Sequence, residues 1–167
     1  MANLYTDPIL KVYQDLIQSA TGNLFKMVYH GDPIAIPKSS MPALVLSKTR
    51  TRIGKISNAE DQHDIEIVIT VVADVRDTIN DDTQIVPGIA QLYDIIEGRE
   101  TDSYTLKENS VLNILRSNIQ PNSQINLRTD LGSITTTDYG LTVGKRAPDA
   151  FGVEAQIQFI ANFIQIR

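Results

Sequence analysis

Four aspartates are the residues in this sequence whose type and spacing are best suited to chemistry. They are Asp74, Asp77, Asp81 and Asp82, and they fall between a predicted strand and a predicted helix. Neighbouring carboxylates can transfer protons or hold a hard cation. Their spacing matches no calcium-binding loop, and a solvated turn before a helix accounts for them equally, since acidic side chains complement a helix N-terminus. We predict the turn, with a small metal-dependent enzyme as the alternative.

Other catalytic signatures are weak. The two histidines, His30 and His63, share no predicted helix, so surface histidines are favoured over a metal pair. The segment from Gly140 to Lys145 has three residues between its glycines, where a phosphate-binding loop has four, and Arg146 follows the lysine in place of serine or threonine. We therefore predict no catalytic residue, no cofactor, no metal site and no enzyme.

Basic residues are concentrated in one polar segment. Arg50, Arg52 and Lys55 lie close together there, and Lys145 and Arg146 form a weaker case of the same kind. Such a segment is either the tip of a soluble hairpin with mixed charge or a binding loop held by a rigid scaffold. We interpret these five residues as interface residues.

Composition narrows the class of protein. The chain has 167 residues, which fits one domain over residues 1–167. A net charge of -5 disfavours a protein that binds nucleic acid by neutralising phosphates. The chain has no cysteine, which excludes disulfides and cysteine metal sites. No signal peptide is evident at the N-terminus, and no run approaches the roughly 20 apolar residues of a membrane span.

Hydrophobic periodicity predicts the elements that position these residues. Apolar side chains alternate with polar ones along 65–75 and again along 153–163, which is typical of two long half-buried strands. Apolar residues at helical spacing follow Asp7 and Pro8, and Gly22 is placed to end that helix. The other predicted elements are strands at 24–29, 43–48, 124–129 and 133–139, helices at about 86–96 and 109–117, an extended proline-containing connection at 33–42, and a polar hairpin extension or mobile loop at 49–63.

This order predicts an α+β fold. We expect an antiparallel or mixed β-sheet with long central strands, flanked by the N-terminal helix and two further helices. The helices should cover one face of the sheet, and the two long strands should be neighbours at its centre.

Four features together resemble the tail terminator proteins of long-tailed bacteriophages, which are also called tail-completion or tail-to-head joining proteins. These features are the amphipathic helix at Asp7-Pro8, the pair of helices after the first long strand, and two strand segments. The first segment reads Pro42-Ala-Leu-Val-Leu, then a charged stretch, then Asp64-Ile-Glu-Ile-Val-Ile-Thr-Val-Val-Ala-Asp. The second is Ala155-Gln-Ile-Gln-Phe-Ile-Ala-Asn-Phe, preceded by Gly152.

The resemblance implies a structural virion protein. Six copies would form a ring that caps the head-proximal end of the tail tube, ends its polymerisation and provides the joining surface to the head connector. The partners would be other copies of the chain, the tail tube protein and a head-side connector or stopper protein. DNA would pass through the ring without specific binding, and the protein would reside in the tail or neck of the virion after assembly in the host cytoplasm. Because the family has no diagnostic motif, it assigns no functional residue.

Three alternatives remain open at this stage. The chain can be another neck protein, such as a stopper, or a tail tube subunit, which would polymerise into long tubes instead of stopping at one ring. It can be the metal-dependent enzyme considered above. It can also be a small ligand-binding domain, although its low aromatic content and lack of tryptophan disfavour an apolar ligand pocket.

Overall fold

A computed structural model describes residues 6–74, 87–143 and 151–166 of the chain. Three helices and five strands alternate in the order expected of an α+β protein, which confirms the predicted fold class. Within these ranges no helix is both long and apolar enough to span a membrane. In chain order the elements are α1 (Pro8–Ala20), β1 (Met27–His30), a short 3-10 helix (Lys38–Ser40), β2 (Ala43–Lys55), β3 (Glu60–Asp74), α2 (Pro87–Glu97), α3 (Val111–Ser117), β4 (Arg128–Val143) and β5 (Phe151–Ile166).

The strands form one mixed sheet in the order β1-β2-β3-β5-β4. Strand β1 pairs parallel with β2, and every other pair is antiparallel. Strands β3 and β5 are paired along their whole described length, from Glu60 opposite Ile166 to Asp74 opposite Gly152. This confirms the prediction that the two long alternating strands are neighbours, with β3 at the centre of the sheet.

The main core lies on one face of the sheet. Alternate residues of β3, from Ile65 to Ala73, and of β5, from Val153 to Ala161, are buried there. Side chains on a strand alternate between faces, so these residues form one continuous apolar surface. All three helices cover it, as predicted, with the buried residues Ile9, Leu10, Tyr13 and Ile17 of α1, Leu92, Ile95 and Ile96 of α2, and Val111, Ile114 and Leu115 of α3.

A smaller apolar cluster covers part of the opposite face, here called the open face. The connection between β1 and β2 folds over one corner and brings Ile36 and Met41 against Ala43, Val45 and Val72. This connection contains only the short 3-10 helix, in agreement with the extended proline-containing segment predicted there. The remainder of the open face in β2, β3 and β5 carries mainly polar and charged side chains.

Helix α1 begins as the sequence predicts. The carboxylate Oδ1 of Asp7 accepts hydrogen bonds from the backbone N–H groups of Ile9 (3.0 Å) and Leu10 (3.2 Å), and Pro8 occupies the first turn. The helix ends at Ala20, and Gly22 follows with a φ of 62°, a left-handed conformation that favours glycine. The other Asp7 oxygen contacts the ammonium of Lys48 on β2, so the cap also attaches the helix to the sheet.

The double role of Asp7 predicts a pH-dependent stability. Burial raises the pKa of this carboxyl, but the Lys48 ammonium and the two helix N–H groups outweigh it, so the pKa lies below its ordinary value. A lowered folded-state pKa gives stability that is present above the unfolded pKa of about 4 and is lost as the pH falls through the folded value. Asp7→Ala should lower the free energy of unfolding by about 1–2 kcal/mol at pH 7. In urea titrations this difference should shrink between pH 6 and pH 3; a difference that is constant with pH would contradict the role of the charge.

Tyr13 connects α1 with β5 and with the edge strand β4. Its fully buried ring meets the ring of Phe159 edge to face, with centroids 5.0 Å apart, and its hydroxyl lies 3.0 Å from the Thr129 hydroxyl of β4. Burial raises the pKa of Tyr13 to about 12, although the hydrogen bond with Thr129 acts in the opposite direction. Helix α1 therefore contacts both β4 and β5 through one side chain.

Removing the Tyr13 hydroxyl should destabilise the protein and change its response to alkali. Tyr13→Phe leaves the buried Thr129 hydroxyl without this partner, which should cost about 1–3 kcal/mol. Because the folded pKa is raised, the contribution of Tyr13 is fully present below pH 10 and is lost as the pH rises through about 12. Denaturant titrations between pH 8 and pH 11 check both effects. The control Tyr29→Phe, at a half-buried ring, should change stability by at most about 0.5 kcal/mol.

Of the two alternatives predicted for 49–63, the structure shows the hairpin extension: β2 runs to Lys55, β3 begins at Glu60, and the turn 56–59 separates them. Other predicted boundaries were wrong. In place of the predicted strand at 124–129, residues 123–126 form a turn closed by an isolated bridge between Asn122 and Leu127, and β4 begins at Arg128. Strand β1 begins at Met27, not at residue 24, and α3 begins at Val111 after a Ser110 cap.

Candidate assembly interface

A β-bulge in β2 decides which face of the sheet receives the predicted basic residues. The register shifts between Lys48, opposite Ile67, and Arg50, opposite Glu66. The extra residue, Thr49, reverses the alternation, because each residue of a regular strand changes face. Lys48 therefore lies on the helix-bearing side, where it reaches Asp7, whereas Arg50 lies on the open face.

Beyond the bulge, each basic residue of β2 faces an acidic residue of β3. Arg50 is opposite Glu66, Arg52 is opposite Asp64, and Lys55 is opposite Asp61. Opposite charges at directly facing positions stabilise an antiparallel pair by roughly 0.2–1 kcal/mol each. We call these three pairs the charge ladder. It shows that the basic residues belong to a rigid hairpin of balanced charge and not to a loop.

The ladder continues across the open face into β5 and β4. One row contains Arg52, Asp64, Asn162 and Arg128, and the next contains Arg50, Glu66, Ile160 and Asp130. A shallow pocket of about 120 Å³ lies between the two rows and is lined by both arginines, both β3 carboxylates and Ile160. The Gln158 amide of β5 donates to Glu66, which fixes that carboxylate from the β5 side.

The end of the hairpin extends past β4 as a three-stranded projection, here called the tongue. It consists of Ile53–Lys55 of β2, the turn 56–59, residues 60–63 of β3 and residues 163–166 of β5. Strand β4 begins opposite Asn162, so within the described chain β5 has a partner on one side only along the tongue.

The tongue carries apolar side chains on both of its faces. Ile53 lies beside His63 and Phe163 on the helix-bearing side, where the two rings stack with centroids 4.7 Å apart. Ile164 and Ile166 lie on the open face. The exposed fractions of Ile53, Ile56, Ile164 and Ile166 are 64%, 50%, 43% and 76%. Exposed apolar side chains beside unpaired strand edges are typical of a surface that binds another protein.

Two edges of the sheet are open to further pairing in the described part of the chain. Strand β1 pairs with β2 only up to Leu46, so the outer edge of β2 is unpaired from Ser47 to Lys55. Strand β4 is the last strand at the other side. The Thr129 N–H donates to the carbonyl of Ile119 (2.8 Å), so the open part of that edge begins at Asp130.

The structure brings together three of the five predicted interface residues. Arg50, Arg52 and Lys55 lie on one exposed strand, but the two arginines face the opposite side from Lys55. Lys145 and Arg146 lie outside the described residues. Sequence reasoning missed the partners Glu66 and Asp64 on β3 and the isoleucines of the tongue; the apolar residues Ile164 and Ile166 on either side of Gln165 were the available signal for the β5 part of it.

The aspartate and histidine side chains considered for catalysis do not lie close together among the described residues. Asp74 lies 3.3 Å from the ammonium of Lys38, whereas Asp77, Asp81 and Asp82 lie outside the described residues. His30 hydrogen-bonds with the Gln14 side chain (2.8 Å), far from the ring stack of His63. Over residues 6–74, 87–143 and 151–166, no group of three histidines or carboxylates is placed to hold a metal ion.

Comparison with known proteins adds no assignment. A scan against protein-family models finds no match, and a search of curated proteins finds none.

Proposed function

We propose that this chain is a tail terminator: a structural protein that closes into a hexameric ring at the head-proximal end of a phage tail tube. The observation that supports this most directly is that two sheet edges on opposite sides of one subunit have no strand partner among the described residues. A cyclic ring uses head-to-tail contacts, so each subunit needs two different surfaces. The outer edges of β2 and β4 are two such surfaces.

The tongue fits the same proposal. Four isoleucines on or beside three strand ends are exposed in the single chain, and a protein contact would remove them from water. The partners proposed for the ring are the tail tube on one side and the head-side connector or stopper on the other. The tongue projects from the sheet end where β4 begins, so it would extend the ring along its axis towards one of these two partners.

Charge is compatible with a ring through which DNA passes. Each chain carries a net charge of -5, so six copies together carry -30. An acidic channel repels phosphate and lets DNA slide without specific binding. The resemblance places the ring in the tail or neck of the virion, and the chain acts there as a structural component and not as an enzyme.

Negative-stain electron microscopy of the purified full-length chain tests this proposal and separates it from its nearest rival. A terminator should give discrete six-fold rings whose height does not grow with protein concentration. Long tubes would identify a tail tube subunit instead. Single particles without rings at micromolar concentration, also in the presence of purified tail tubes, would contradict the proposal.

A further inference from the structure

We infer that the ring is closed by strand addition: the β4 edge of one copy pairs with the β2 edge of the next copy. This inference rests on the proposed ring and names the contact within it. The occupant of each edge is therefore a second copy of this chain. Two features of the two edges, strand direction and charge, support the assignment.

The first feature is strand direction. Each pair in the series β2, β3, β5 and β4 is antiparallel, so β2 and β4 run in opposite directions within one subunit. When subunits are related by rotation about an axis along the strands, β4 of one copy meets β2 of the next in antiparallel orientation. The helix-bearing faces then all lie on the same side of the joined sheets. Strand addition of this kind is a recurring mode of protein association.

The second feature is charge. The unpaired part of β2, from Ser47 to Lys55, contains four basic residues and no acidic residue. The open part of β4, from Asp130 to Val143, contains two aspartates and no basic residue. Arg50 and Asp130 lie in the same row of the sheet, at opposite edges. Adding the next copy at the same height would place Asp130 beside Arg50, and it would place Arg128, just before the open part of β4, in the row of Arg52.

The two edges differ in the sign of their charge, so they complement each other and neither complements itself. This asymmetry favours head-to-tail closure over a two-fold dimer. The exposed apolar side chains that adjoin the edges do not meet in this arrangement, because the strands run antiparallel. Ile53 lies on the tongue side of Arg50, whereas Leu131 lies on the other side of Asp130.

The bulges limit where the edges can pair. The β2 edge is regular from Arg50 to Lys55, after the bulge at Thr49. The β4 edge has irregularities between Asp130 and Thr135 and between Thr137 and Gly140. Bulges of this kind prevent indiscriminate pairing of exposed edges. The contact is therefore a short one, near Arg50, Arg52 and Asp130.

Cysteine cross-linking tests this contact directly, because the natural chain contains no cysteine. In one subunit Arg50 and Asp130 are three strand spacings apart, or about 14 Å, which is too far for a disulfide with a Cα separation of about 4–7 Å. A disulfide in the Arg50→Cys/Asp130→Cys variant must therefore join two copies. The Arg52→Cys/Asp130→Cys variant covers a shift of two residues along β2, and Arg50→Cys/Ser103→Cys is the control, since Ser103 is exposed on a loop outside the sheet.

We expect at least one β2–β4 pair to give a ladder of oxidised species up to six chains on a non-reducing denaturing gel, at tenfold or greater yield than the control. Asp130→Asn supplies a second readout, since the amide oxygen can still accept the Gly132 N–H bond (3.0 Å) that Asp130 accepts. This variant should melt like the natural chain but form hexamers at least several-fold less readily.

The outcomes separate the contact from the ring. If native hexamers form but neither cysteine pair exceeds the control and Asp130→Asn assembles normally, the β2–β4 contact is wrong and the ring stands. If the natural chain forms no hexamer, either alone or with purified tail tubes, both are wrong. If the cross-linked species contain at most two chains, the contact forms a closed dimer and the proposed ring is wrong.

Discussion

Replacing Phe159 by alanine should lower the free energy of unfolding by about 3–5 kcal/mol, which is the usual cost of removing a large buried aromatic side chain. Phe159 is fully buried on β5, and its ring contacts Tyr13 of α1 edge to face. Residue 159 pairs with Ile67 at the centre of the β3–β5 ladder. The cavity would therefore lie where the central strands and the N-terminal helix meet, and it could close only if packed backbone moved.

Phe163→Ala is the matched control for this prediction. It makes the same chemical change four residues along the same strand, but Phe163 is only half-buried and stacks on His63 at the start of the tongue. We expect it to cost at least about 1.5 kcal/mol less than Phe159→Ala, because the Phe163 side chain buries less apolar area on folding than the Phe159 side chain does. Urea titrations at one fixed protein concentration measure both variants. Equal costs would show that the core does not centre on β5 as described.

Replacing the isoleucines at the β2 end of the tongue should abolish assembly without unfolding the subunit. Ile53 and Ile56 are 64% and 50% exposed in the single chain, so Ile53→Ser/Ile56→Ser should change its stability by at most about 1 kcal/mol. If the next copy buries them in the ring, each substitution removes roughly 1.5–3 kcal/mol of hydrophobic stabilisation from every contact between copies. A loss of about 3 kcal/mol or more per contact corresponds to a hundredfold or greater weakening of each contact.

Ile34→Ser provides the control for this second prediction. Ile34 is even more exposed, at 92%, but it lies on the connection between β1 and β2, outside the tongue. Sedimentation velocity at equal concentrations should show hexamers for the natural chain and Ile34→Ser, and monomers for the tongue variant. Unchanged hexamers in the tongue variant, with unchanged melting, would show that the tongue is not a contact surface in the ring.

The sequence revealed those strands that are half-buried. In β3 and β5 one face packs against the helices, so the alternation of Ile65 to Ala73 and of Val153 to Ala161 is visible in the residue types themselves. For α1, the capping aspartate and the following proline indicated where the helix begins, and Gly22 indicated where it ends. These signals are local, and the structure confirms each of them.

The same reasoning left alternatives open where a strand leaves the core. Residues 49–55 have mostly polar side chains on both faces beyond the reach of the helices, so the pattern allowed both a hairpin extension and a mobile loop. Their pairing with 60–66 depends on a register set by the turn and by the bulge at Thr49. A slip of one residue would turn Arg50 and Arg52 away from Glu66 and Asp64, and residue types alone do not specify it.

This ambiguity bears on the candidate site. Arg50, Arg52 and Lys55 are predicted as interface residues, and the charge ladder gives each of them an acidic neighbour in the same chain. Reversing the charge of Arg50 or Arg52 would place like charges opposite each other and destabilise the hairpin itself. Neutral or cysteine substitutions therefore test the interface more cleanly. The assignments of Lys145 and Arg146 stay predictions.

Native mass spectrometry of the purified full-length chain at micromolar concentration tests the central claim most directly. The proposed ring predicts one dominant species at six times 18.5 kDa, or about 111 kDa, that dissociates as salt weakens the contacts between the edge charges. A strict monomer that also stays monomeric when mixed with purified tail tubes, or a stable dimer with no larger species, would contradict it.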